Sequence, residues 1–64
     1  MKAKYPGKPG PEFYRDTAGD YRWRVWSVNG RILADSGEGY RRKAGAMRGF
    51  RATSLILRAA WRHP

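Results

Sequence analysis

The apolar positions of this chain alternate first and then change to a helical period. From Tyr21 to Trp26 large side chains interleave with arginines (YRWRVW), and Ile32-Leu33 continue that strand-like composition further on. Asn29-Gly30 lies between the two runs. Both residues tolerate positive φ, so the spacing predicts a two-residue type I′ hairpin. Such a turn places Val28 opposite Arg31, Trp26 opposite Leu33 and Arg24 opposite Asp35. Alternation then gathers Tyr21, Trp23, Val25, Ile32 and Ala34 on one face, the cleaner core face. The other face mixes Arg22, Arg24, Trp26, Val28, Arg31 and Leu33. It is too apolar for an ordinary solvated surface and too charged for a closed core. Either a partner or ligand covers it, or the arginine stems simply lie over Trp26 and Leu33.

Upstream, Glu12 to Asp16 reads as a first strand and Thr17-Ala18-Gly19-Asp20 as its turn. A four-residue loop sets Tyr14 opposite Trp23 on the core face and sends Phe13 and Arg15 to the arginine face. Downstream, Ser36-Gly37-Glu38-Gly39 breaks the strand, with Glu38 expected to hold the helix N-terminus or pair with an arginine. A helix is expected from about Arg41 to at least Arg51. Ala44, Met47, Phe50 and Ser54 follow helical spacing and would pack against Tyr14, Trp23, Val25 and Ile32. Gly45 and Gly49 lower helix propensity but permit close backbone approach. Residues 52–62 read equally as more helix or as a final strand. The first eleven residues, with three Pro, two Gly and three Lys, read as a flexible basic arm. The domain proper is taken as residues 12–64.

These residues resemble the YegP-like family of small domains of unknown function (the DUF1508 group). The resemblance rests on Phe13, Tyr14, Asp16, Gly19, Tyr21, Arg22, Trp23, Arg24, Asn29, Gly30, Ile32, Ser36, Glu38, Tyr40, Lys43 and Ala46. Two positions depart from the pattern. Pro11 stands where an aromatic usually opens the first strand, and it removes a ladder donor. Arg41 stands where Ser or Thr usually caps the helix, and it sets a cation at the unfavourable end of the dipole. The resemblance implies an α+β fold, a three-stranded antiparallel sheet followed by a helix, with a C-terminal strand exchanged between paired units. It implies no activity.

Composition narrows the function classes. A chain of 64 residues allows one domain and buries only roughly 60% of its unfolded surface. Cysteine is absent, so no disulfide staples it and no thiolate binds metal or attacks a substrate. Self-association is the remaining source of stability, and a homodimer is expected. The carboxylates Glu12, Asp16, Asp20, Asp35 and Glu38 are scattered, and the lone histidine, His63, has no orienting partner in sequence. No enzymatic activity, cofactor or metal is expected. Asp16 and Asp20 flank one turn, where an Asx-turn or an arginine pair explains them more simply than a cation. No apolar run is long enough for a signal h-region or a membrane span, and a cytoplasmic location is expected.

The formal charge of +9, with ten arginines among fourteen Lys and Arg, suits phosphate or carboxylate partners. Arg22, Arg24, Trp26 and Arg31 on one sheet face, with Arg41, Arg42 and Lys43 at the helix start, are the candidate contacts. Two readings compete. In one, single-stranded nucleic acid stacks on Trp26 and its phosphates meet the arginines. In the other, the domain is a structural or protein-interaction module whose basic face meets an acidic protein. A Trp26 open on the arginine face favours the first, and a Trp26 sealed by a second subunit favours the second. A membrane-surface role for the Leu/Ile/Trp tail is weaker, because the fold needs those side chains.

Overall fold

The computed structural model describes residues 3–61. Three strands, β1 (Gly10–Arg15), β2 (Tyr21–Trp26) and β3 (Ile32–Asp35), precede one helix, α1 (Lys43–Trp61). The strands form an antiparallel sheet in the order β1-β2-β3. The α+β class and the order of elements are those the sequence predicts. β1 begins two residues earlier than expected and pairs through Pro11 to Gly10. It is an edge strand, where a missing ladder donor on the solvent side costs nothing.

Both hairpins close with the same device, and it is not the expected one. In each, a three-residue loop ends in a glycine at positive φ, Gly19 at 89° and Gly30 at 83°, and no other residue of either loop has positive φ. The backbone N–H of Asp16 donates to Asp20 O (2.8 Å) and that of Ser27 to Arg31 O (2.7 Å). The glycine N–H bonds back to the carbonyl of the residue just before each loop, Asp16 or Ser27. The side chain of that residue then accepts the far N–H: Asp20 N to Asp16 Oδ1 at 2.9 Å, and Arg31 N to Ser27 Oγ at 3.0 Å. Asp and Ser therefore supply an acceptor at the mouth of a three-residue loop; the first loop is one residue shorter than the expected four, and the second one residue longer than the expected two.

A change of one residue in loop length reverses strand faces, because side chains alternate with period two. In β1, Phe13 now lies opposite Trp23 and Tyr14 opposite Arg22, so Phe13 takes the core face and Tyr14 the arginine face. In the second hairpin a bulge absorbs the difference. Arg24 opposes Asp35 and Val25 opposes Ala34, as expected, but Trp26 opposes Ile32 rather than Leu33. Ile32 thus joins Trp26, on the face away from Trp23. Leu33, the extra residue of the bulge, lines the helix side with Val25 and Ala34.

The chain leaves β3 through Ser36, whose N–H still reaches Trp23 O, and returns to β2 at Tyr40, which exchanges both backbone bonds with Tyr21. Gly37 to Gly39 loop out between these contacts. Glu38 neither caps the helix nor forms an ion pair among the described residues; its carbonyl accepts the Ser36 hydroxyl. Tyr40 then decides how α1 rolls. Its ring lies along Gly45 and Gly49, and a Cβ at Gly49 would collide with the phenol. The glycine pair thereby lets the tyrosine sit flush on the helix. Burial pushes the Tyr40 phenol pKa up, and the neighbouring Glu38 acts in the same direction.

This rotation turns Ala46, which is wholly buried, and Phe50 inward, while Ala44 and Met47 stay exposed, contrary to the expected stripe. Phe50 meets Phe13 (5.6 Å between centroids) and Trp23 (5.3 Å), both edge-to-face. The segment 52–61 is helix, continuous with the first turns. It does not form the final strand that the family resemblance implies, and residues 62–64, His63 among them, lie outside the described part.

Candidate functional site

The far face of the sheet, which α1 does not cover, holds three of the predicted contact residues in one place: Arg22, Arg24 and Trp26. Their own chain already engages each of them. Asp16 Oδ2 accepts from Arg22 Nε at 2.6 Å while Asp16 Oδ1 holds the turn N–H groups of Ala18 and Asp20. The arginine bond, the Asp20 N–H and then the Ala18 N–H hold the Asp16 pKa below its usual value, and the same pairing raises that of Arg22. An Asx-turn with an arginine pair therefore accounts for Asp16.

Glu12 lies opposite Arg24 across the β1–β2 ladder. Its Oε1 is 3.1 Å from Arg24 Nε and accepts the Trp26 indole N–H at 2.9 Å. The Arg24 guanidinium carbon lies over Tyr14, 3.6 Å from the ring centroid, and 5.9 Å from that of Trp26. Tyr5, from the arm, closes the row. Its ring is 5.4 Å from Trp26 at 57°, and its hydroxyl donates to Val28 O at 3.3 Å. Trp26 is left 4% exposed. The arm is therefore folded over the sheet at Tyr5.

The remaining predicted residues are not gathered here. Arg31 is exposed at the β2–β3 turn, at the Trp26 end of β2. Arg41, Arg42 and Lys43 are exposed beside Tyr40, which pairs with the opposite end of β2 at Tyr21. None of these four has a carboxylate partner among the described residues. They form two separate cationic ends rather than one patch.

The helix-facing side holds a feature that the sequence reading missed. α1 packs across β2 and β1 but not β3. An open groove of about 800 Å³ remains between β3 and the second half of the helix. Leu33, Val25 and Ala34 form one wall, Leu55 and Leu57 the other, and Trp23 and Phe50 the inner end. Leu33 is 68% exposed, Leu55 56% and Leu57 57%. The signal was present in Leu55-Ile56-Leu57, three consecutive apolar residues on a helix that can bury only one face. Among the described residues no three His, Cys, Asp or Glu come together as metal ligands, and no helix is long and apolar enough to cross a membrane.

Comparison with known proteins agrees with this architecture. The solution NMR structure of a protein from Haloferax volcanii is 45% identical, with a TM-score of 0.71, over 77% of this chain and 82% of that one. No curated protein matches. A family model, the domain of unknown function DUF1508, matches residues 16–52. That span includes the second strand, its bulged hairpin, the Ser36–Tyr40 return and the first half of the helix, and the chain belongs to the DUF1508 family.

Proposed function

We propose that this domain is a non-enzymatic, self-associating module, and that a second copy of the chain occupies the groove between β3 and α1. The observation that carries this reading is the exposure of Leu33, Leu55 and Leu57 around one groove, beside a strand edge that has no neighbouring strand among the described residues. Among the described residues only Trp23, Trp26 and Ala46 are buried apolar groups, little for a domain to stand on. The two sheet edges also differ. β1 carries Pro11, a residue that discourages strand addition, whereas β3 presents Ile32 and Leu33 and no proline or lysine. A copy related by a two-fold axis brings a matching edge and matching leucines, because such contacts are self-complementary. With cations exposed at both ends of β2, an acidic or anionic third partner suits the assembled pair better than a neutral one. Isotope-filtered NMR on mixed labelled and unlabelled chains tests this. Intermolecular contacts are expected between methyl groups of Leu33 and those of Leu55 or Leu57. Their absence at concentrations where the protein is folded overturns it.

Electrostatic contact with nucleic acid is a second reading. Arg31, Arg41, Arg42 and Lys43 favour it, since all four are exposed and lack carboxylate partners among the described residues. Binding of this kind falls steeply with added salt and does not distinguish nucleic acid from heparin.

A further inference from the structure

Four planar groups stand in a row on the far face of the sheet: Tyr14, Arg24, Trp26 and Tyr5. The first three belong to β1 and β2, and Glu12 of β1 ties Arg24 and Trp26 together. The row up to Trp26 is thus built by the sheet and needs nothing from the arm. Tyr5 is attached differently. It comes from a segment rich in proline and glycine, and its one polar tie is a long, exposed bond to Val28 O. Its ring also rests against Gly30, where a Cβ would stand 3.5 Å away. Lys4 and Lys8 flank it, both exposed, and Arg31 is exposed just beyond the turn.

We propose that Tyr5 holds the place of an unpaired nucleobase, and that the arm is a displaceable cover on a stacking site for single-stranded nucleic acid. A base has what Tyr5 brings there: a flat ring for Trp26 and an N–H donor for the Val28 carbonyl. Duplex bases are stacked and paired already, so they cannot replace it. Arg31, exposed beside the turn that carries Val28, stays in place to meet a flanking phosphate, whereas Lys4 and Lys8 move with the displaced arm. The site goes beyond self-association, lies on the opposite face from the groove, and adds to charge attraction a contact that heparin cannot make.

The test compares the full-length chain with Tyr5→Ala. Fluorescence-anisotropy titrations use short oligouridine and oligothymidine, a duplex of matched length, and heparin, over a range of salt. Tyr5→Ala removes an arm side chain and leaves the Glu12 tie intact, so the fold is expected to survive. A two-dimensional NMR spectrum checks this and follows the Trp26 indole N–H. Tyr5→Ala is expected to bind single strands at least about fivefold more tightly than wild type, the scale of one modest stacking contact. Duplex and heparin affinity should stay unchanged, and the Trp26 indole signal should shift only on adding single strands. Equal affinity of the two proteins for single strands overturns the proposal, as does a parallel gain for heparin or a silent Trp26 signal. A parallel gain for heparin would leave plain electrostatic contact standing, whereas no binding to any polyanion would remove that reading as well.

Discussion

The two faces of the sheet solve opposite problems. The far face carries the charged and aromatic mixture, and its own chain engages it: Asp16 takes Arg22, Glu12 takes the Trp26 indole N–H and sets its charge beside Arg24, and Tyr5 covers what is left. The helix face carries the apolar residues, yet it is closed only over β1 and β2 and stays open beside β3. Charge draws attention to the first face, but a charge with a partner has little left to offer a ligand. Unsatisfied surface marks the second face, and there it is greasy rather than basic. The unmet physical need is for apolar cover along β3 and α1.

The largest effect expected from breaking this contrast is at the closed end of the helix face. Phe50 links α1 to both Phe13 and Trp23 through aromatic contacts. Phe50→Ala should cost about 3 kcal/mol or more, as much as a core of this size usually supplies. Loss of the cooperative melting transition by circular dichroism is the expected result. At the open end the outcome should differ in kind. Leu57→Glu replaces a side chain already 57% exposed, so a lone chain should tolerate it within about 0.5 kcal/mol. A pair that buries Leu57 from both copies should lose roughly 2 kcal/mol or more of association free energy. Dilution experiments by size exclusion separate these two numbers.

The far face should respond to polar changes instead. Glu12→Ala leaves the nearly buried Trp26 indole N–H without an acceptor and should cost about 1–3 kcal/mol. Glu12→Gln keeps a carbonyl acceptor and should cost less, although it gives up the charge facing Arg24. Denaturant titration of the two variants ranks them. The smallest effect concerns Asp16, whose pKa is held low in the folded state by Arg22 and the turn N–H groups. A group of this kind stabilises above its unfolded value and loses that contribution as pH falls through the folded one. Wild-type stability should therefore decline below about pH 4. Asp16→Asn should be less stable than wild type at neutral pH, with a shallower decline into acid. Parallel urea titrations across that pH range would show it.

Much of the fold was legible in the chain and its chirality of faces was not. Strand, turn and helix positions followed from alternation, Asn29-Gly30 and the apolar period after Tyr40. The family resemblance through Tyr21–Arg24 and Ser36–Tyr40 pointed the same way. What failed was a count of one. Asp16 and Ser27 each accept an N–H across a three-residue loop, one residue shorter than expected in the first hairpin and one longer in the second, which exchanges Phe13 with Tyr14 and Ile32 with Leu33. Composition does not announce which turn a polar side chain will stabilise. The helix phase failed for a related reason, since Tyr40 against Gly45 and Gly49 is a contact made before the helix begins. The mixed face was read rightly as crowded and in need of cover, but the cover expected was a partner, a ligand or the arginine stems, and Glu12 and Tyr5 were the unrecognised partners. Tyr5 was the hardest, because an isolated aromatic in a Pro/Gly-rich arm has no period to place it. The helical course of residues 52–61 was undecided in sequence, where apolar composition suits either structure.

Sedimentation equilibrium of the wild-type chain over a micromolar concentration range tests the central claim directly. If the groove beside β3 takes a second copy, the fitted mass should rise with concentration to twice the 7.4 kDa of one chain. Leu57→Glu should return it towards the single-chain value while the circular dichroism spectrum remains that of the folded protein. A wild-type mass of 7.4 kDa throughout, in a folded sample, would contradict the account.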